Sequence, residues 1–198
     1  MKLILMTTPD FFVEEHQILT ALFDEGLDLL HLRKPGTEPV FYERLLTLIP
    51  ENYRKRIVTH DHFYLKQEYK LRGIHLSRHT SEIPENYKGH VSVTCRTSVE
   101  IAANKKKCDY VLLAPVYPDR GTAMSDEAKL AAATRGIVDR KVVAFGGIGL
   151  DNIKQVRDMG FGGAMVLGDI WNRFNIHATA DFKDLIMHFR RLKKACDK

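Results

Sequence analysis

Residues 141–169 read KVVAFGGIGLDNIKQVRDMGFGGAMVLGD, and the reading of this stretch decides the fold. It opens with an apolar run of strand length, 141–145, which Gly146-Gly147 break. Asp151 then starts an amphipathic segment that runs to Met159 and ends at Gly160, a residue suited to a helix C-terminus. A second apolar run, 163–167, follows. Strand, helix and strand in that order form a βαβ unit, which implies parallel neighbours in a sheet.

The same rhythm extends outward through the chain. Strand-length runs at 3–7, 27–33, 56–59, 73–76, 90–94 and 110–114 precede the two above, making eight. Helical patterns lie at 13–23, 41–49, 125–133 and 182–194, and Ser98 is placed to cap another. The stretch 81–88 is short and marked by proline, so the fourth unit is expected to be abbreviated. Eight strands with helical crossovers predict an α/β fold, a single-domain TIM (β/α)8 barrel over residues 1–198. An open doubly wound sheet would more often carry a glycine-rich first loop; here that loop is Thr7-Thr8-Pro9-Asp10. The length sits at the small end of the roughly 200–400 residues usual for such barrels. Loops must be short, and the chemistry must sit near the strand ends.

Hydrophobic residues make up 44% and charged residues 28%, which suits a soluble globular domain. No apolar run reaches the ~20 residues needed to span a membrane, so no membrane partner is expected. The opening Met1-Lys2-Leu3-Ile4-Leu5-Met6 mimics a signal peptide, but Pro9-Asp10 ends it early and no small-residue cleavage site follows. It reads as a first buried strand. Cys95, Cys108 and Cys196 show no CxxC spacing, which fits a reducing, cytoplasmic setting. The net charge of +5 gathers at Lys105-Lys106-Lys107 and in the tail 190–198, without interleaved aromatics. A solvated surface, not a nucleic-acid face, is expected. A basic balance also suits phosphorylated ligands.

In such a barrel the site lies at the carboxyl ends of the strands. The second strand ends His31-Leu32-Arg33-Lys34-Pro35. Residues two apart share a face, so His31 and Arg33 are expected to point into the mouth together. An arginine buried there needs an anion, either a ligand or an internal carboxylate. The third strand ends Thr59-His60-Asp61-His62, the fourth reads Gly73-Ile74-His75-Leu76, and the fifth ends Thr94-Cys95-Arg96. His31, His60 and His75 thus take matching places on three strands. Lone histidines in strands are usually satisfied core groups, but three at matching places are candidates for acid–base work; a metal site on them is not established by spacing alone. Gly146, Gly147 and Gly168 follow the last two strands, where barrels often hold phosphate on bare backbone amides. The alternative is that they only make tight turns, the reading given to Gly160, Gly162 and Gly163.

Taken in order, LHLRK (30–34), VTHD (58–61), GIHLS (73–77), CDYVLLAPVYP (108–118), VVAFGGI (142–148) and GFGGAMVLGDIW (160–171) resemble the thiamine phosphate synthase/TenI family over nearly the whole chain. The resemblance implies a transferase of thiamine biosynthesis. Hydroxymethylpyrimidine diphosphate loses pyrophosphate, and the nitrogen of thiazole phosphate captures the pyrimidine carbocation. It implies catalytic roles for His31, Arg33 and His60. Substrate contacts would come from His75, Thr94, Gly146, Gly147 and Gly168, and Mg²⁺ would sit on Asp61. Arg33 matches the arginine of the family's Gln-x-Arg-x-Lys pattern, with His31 at the glutamine and Pro35 at the lysine position. Lys34 is one place off and is expected to point elsewhere. His60-Asp61 stands at an Asn-Asp pair, and Thr94 at a serine.

Two departures weaken the diphosphate side. The family's second aspartate follows GIHL, where this chain has Ser77-Arg78-His79-Thr80. Its Thr-x-Thr-Lys loop is replaced by Asp119-Arg120-Gly121-Thr122. Weak Mg²⁺-dependent diphosphate binding and slow or absent turnover are expected, with thiazole-phosphate binding kept. The alternative roles are a TenI-like thiazole tautomerase, whose catalytic histidine is replaced by Pro115, and a non-catalytic barrel that holds a phosphorylated ligand.

Overall fold

A computed structural model describes residues 1–77, 82–117, 135–173 and 182–197. All eight apolar runs form strands: β1 (Lys2–Met6), β2 (Leu29–Leu32), β3 (Ile57–Thr59), β4 (Gly73–Leu76), β5 (His90–Cys95), β6 (Tyr110–Leu113), β7 (Val142–Phe145) and β8 (Gly163–Val166). Each pairs in parallel with the next, and β8 returns to β1 through the register Lys2↔Gly163 to Leu5↔Val166. The result is the closed eight-stranded barrel expected from the rhythm. Strands buried on both faces read as continuous apolar runs, which is why Leu3, Ile4 and Leu5 are all fully buried.

Helices cover the outside: α1 (Glu15–Asp24), α2 (Pro39–Leu48), α3 (Glu51–Arg54), α4 (Leu65–Glu68), α5 (Ser98–Asn104), α6 (Ile153–Asp158), α7 (Gly168–Trp171) and α8 (Lys183–Asp197). The helix expected from residue 13 begins at Glu15, and Val13 is left exposed. Ser98 does not cap α5. Thr97 does, its Oγ1 accepting from the Glu100 amide at 3.2 Å from an extended backbone. No helix forms over the described residues 82–88, as expected. The helix expected at 125–133 and the two loop departures at 78–80 and 119–122 lie outside the described residues. No helix among the described residues is long and apolar enough to cross a membrane. All three cysteines are free and buried.

Two apolar cores result. The larger lies between strands and helices. The smaller fills the barrel and holds Ile4, Met6, Leu29, Tyr110, Leu112, Val143 and Met165, with Phe145 and Leu167 packed against it. Most of these side chains come from β1, β6, β7 and β8. The interior faces of β2 to β5 are left for other residues.

Candidate active site

Those faces carry hydrogen-bonded polar side chains. Thr94 Oγ1 lies 2.9 Å from His75 Nε2, and His75 Nδ1 lies 2.8 Å from Ser92 Oγ. Ser92 Oγ also donates to the Ile74 carbonyl at 3.4 Å. Tyr110 Oη lies 2.6 Å from His31 Nε2, and His31 Nδ1 lies 2.9 Å from His60 Nε2. The His60 and His75 rings stack with centroids 4.3 Å apart. Three histidines that sequence parity put at matching strand ends therefore meet in space. Ser92 and Tyr110 were missed, although Ser92 shares the inward parity of Thr94.

All three imidazoles are buried. Burial disfavours the charged ring and pushes each pKa down, that of His75 to about 3. Neighbouring rings add to the effect on His31 and His60, and the Arg33 guanidinium adds to it on His60 and His75. At neutral pH this is a neutral floor of imidazoles.

The rim above it is polar and open. Arg33 was expected inside the mouth beside His31, but it is exposed. The reason is that β2 stops at Leu32, so the strand's alternation no longer governs Arg33. Its backbone instead trades two 3.0 Å hydrogen bonds with the Thr7 hydroxyl, through the amide as donor and the carbonyl as acceptor. Thr94 is exposed at the same end. Asp61 is half-buried, and its Oδ2 accepts from Tyr42 Oη at 2.9 Å. Its other carboxylate oxygen has no protein partner among the described residues.

Lys34 does point elsewhere. It is wholly buried, and its ammonium donates to Glu15 Oε1 at 2.6 Å, the Asp10 carbonyl at 2.7 Å and Thr8 Oγ1 at 3.2 Å. It thereby ties the loop after β1 to the end of β2. Glu15 Oε2 is buried without a partner. Burial lifts the Glu15 carboxyl to about 7, although Lys34 pulls it back.

The glycines divide. Gly146 and Gly147 have φ of +97° and +65°, and a Cβ on Gly147 would stand 2.5 Å from the Tyr117 carbonyl oxygen. Backbone geometry alone requires glycine there. Gly168 opens α7, and a Cβ on it would first meet the Asn172 side chain, with Nδ2 at 3.2 Å. Asp169, next to it, binds His188 Nε2 at 2.6 Å. Gly149 lets the loop after β7 approach that carboxylate, since a Cβ would lie 2.8 Å from it. Trp171 Nε1 donates to the Met6 carbonyl at 2.7 Å, fixing α7 to the end of β1. These contacts bring the loops after β7 and β8 together at the mouth.

The chain is similar to known proteins in sequence and in fold. Residues 3–170 match the family model described as Thiamine monophosphate synthase. The chain is 28% identical over 182 residues to a thiamine-phosphate synthase of Limosilactobacillus fermentum, covering 81% of this chain and 83% of that protein. A crystal structure of thiamine phosphate pyrophosphorylase from Bacteroides thetaiotaomicron superposes with a TM-score of 0.90 at 50% identity, over 100% of this chain and 98% of that one. A thiamine phosphate pyrophosphorylase from Pyrococcus furiosus, 19% identical, shares the fold with a TM-score of 0.73 over 99% of this chain and 95% of that one. With the barrel closed, the motifs in order at its mouth and the family model matched over most of its length, the chain belongs to the thiamine monophosphate synthase family.

Proposed function

We propose that this chain joins hydroxymethylpyrimidine diphosphate to thiazole phosphate, giving thiamine phosphate and pyrophosphate. The observation that carries the reading is a neutral imidazole floor beneath a rim that bears Arg33, Asp61 and Thr94. Breaking the carbon–oxygen bond to the diphosphate sends the electron pair out with the leaving group and leaves a cation on the pyrimidine methylene. The thiazole nitrogen lone pair then closes the new bond. Such a reaction needs positive charge and hydroxyls around the departing diphosphate. Beneath the cation it needs surroundings that carry no positive charge. Arg33 and Thr94 serve the first need, and His31, His60 and His75, held neutral by burial, serve the second. Gly147 and Gly168 would offer backbone amides to the thiazole phosphate.

The donor set also suits magnesium, which commonly takes one or two carboxylates plus substrate phosphates. Asp61 would hold it, oriented by Tyr42, and the ion when bound supplies charge neutralisation for the diphosphate. A tautomerase that uses these histidines as bases is disfavoured, because His75 at about 3 is a weak base.

The test is steady-state formation of thiamine phosphate with both substrates and Mg²⁺ saturating. Product that requires both substrates is expected, at a rate below the ~1–10³ per second usual for enzymes, because a single carboxylate serves the metal. Arg33→Ala should lower the rate further. No product from the folded chain would overturn the reading.

A further inference from the structure

We propose that His31, His60 and His75, in the chain free of substrates, form a site for one divalent transition-metal ion, of the zinc or cobalt class, inside the barrel below its mouth, whose occupancy excludes the pyrimidine cation from the same floor. One ligand nitrogen from each of the three lies within 4.8 Å of the others. Metal–nitrogen bonds of ~2.0–2.1 Å in a tetrahedral site hold the nitrogens roughly 3.3 Å apart. His31 Nδ1 and His60 Nε2, at 2.9 Å, already stand closer than that. A modest ring rotation opens this pair and draws in the third nitrogen. The exchange gives up one hydrogen bond between imidazoles for bonds to the metal.

Outer partners are in place for two of the three rings. A metal-bound histidine almost always engages its other ring nitrogen with a hydrogen-bonding group, which fixes the ring. His31 has Tyr110 Oη on its second nitrogen at 2.6 Å. His75 is held by Ser92 through Nδ1 and by Thr94 through Nε2, so one partner remains whichever nitrogen ligates. Three imidazoles without a carboxylate favour zinc, cobalt, nickel or copper over magnesium, which wants oxygen. The site is thus chemically distinct from Asp61. Three protein ligands leave a fourth position open. The nearby Arg33 guanidinium opposes a bare second cation and favours an anion in that position, hydroxide or a phosphate oxygen.

The experiment titrates the metal-free full chain with Co²⁺. One equivalent is expected to bind and to give the visible absorption of four-coordinate cobalt. Zn²⁺ should displace it, and excess Mg²⁺ should not. In the unmodified protein, nitrogen-15 NMR should show one equivalent of Zn²⁺ shifting the imidazoles of His31, His60 and His75 and sparing His16, His62 and His90. His75→Asn should weaken Co²⁺ binding by more than about tenfold. Binding that survives His75→Asn, shifts confined to other histidines, or no saturable binding would each overturn the proposal. The NMR reading needs no variant, so a misfolded His75→Asn does not leave the question open. None of these readouts depends on thiamine phosphate formation, so the metal site and the synthase reading fail separately.

Discussion

The barrel interior is two materials. On the side of β6, β7, β8 and β1 it is filled by Ile4, Met6, Leu112, Val143 and Met165. On the side of β2 to β5 it holds two hydrogen-bonded groups, His60–His31–Tyr110 and His75–Ser92, joined by the stacked rings of His60 and His75. Both sides are buried, yet they are stabilised in different ways. The apolar side gains from removal of surface from water and from close packing, and it tolerates exchange among side chains of similar volume. The polar side gains little net from its hydrogen bonds, but each member left without its partner costs a full desolvation penalty. Packing holds the barrel together, and the polar side is where chemistry can reside.

Substitutions can sharpen that contrast. Met165→Ala removes a fully buried side chain from the apolar side and should cost about 2–5 kcal/mol in urea unfolding, with activity per folded molecule little changed. Equal loss of activity at full occupancy of the native state would erase the distinction. Tyr110→Phe removes the hydroxyl that binds His31 Nε2 and should cost about 1–3 kcal/mol, since the imidazole keeps no partner on that nitrogen. Here activity should fall along with stability. Arg33→Ala, at the exposed rim, should leave stability within about ±0.5 kcal/mol while raising the concentration of pyrimidine diphosphate needed for half-maximal rate. A matching loss of stability would show that Arg33 holds the loops and not the ligand.

How much of this was legible depends on what each residue had to say locally. The eight strands are written as runs of Leu, Ile and Val separated by turn residues, and all eight formed. The histidines stood out because polar side chains interrupt apolar strands. Ser92 and Tyr110 did not, because a serine or tyrosine in a strand is ordinary and only the closed barrel brings them to His75 and His31. Arg33 was expected buried in the mouth and lies exposed at its rim, because β2 ends at Leu32. The partner of Lys34 is 19 residues away, on another element, and no local pattern announces it. The helices α3, α4 and α7, four residues each, are too short to show a period.

The clamp between Lys34 and Glu15 has a thermodynamic consequence. Burial raises the Glu15 carboxyl from 4.5 to about 7 in the folded chain. Between those values Glu15 in the native protein holds a proton that the unfolded chain has released, so this group takes up a proton on folding. A group whose pKa rises on folding lends its stability below its unfolded value and loses it as pH climbs through the folded one. The buried imidazoles of His31, His60 and His75, lowered on folding, add stability over the same range, so Glu15 shows as a difference: Glu15→Gln should make resistance to urea climb more steeply from pH 5 to pH 7.5 than in the unsubstituted chain. The heat of refolding near pH 6 should also vary with the ionisation enthalpy of the buffer. The loop at the mouth of the barrel is in this sense fastened by a weak acid, and its grip is set by the proton activity of the solution around it.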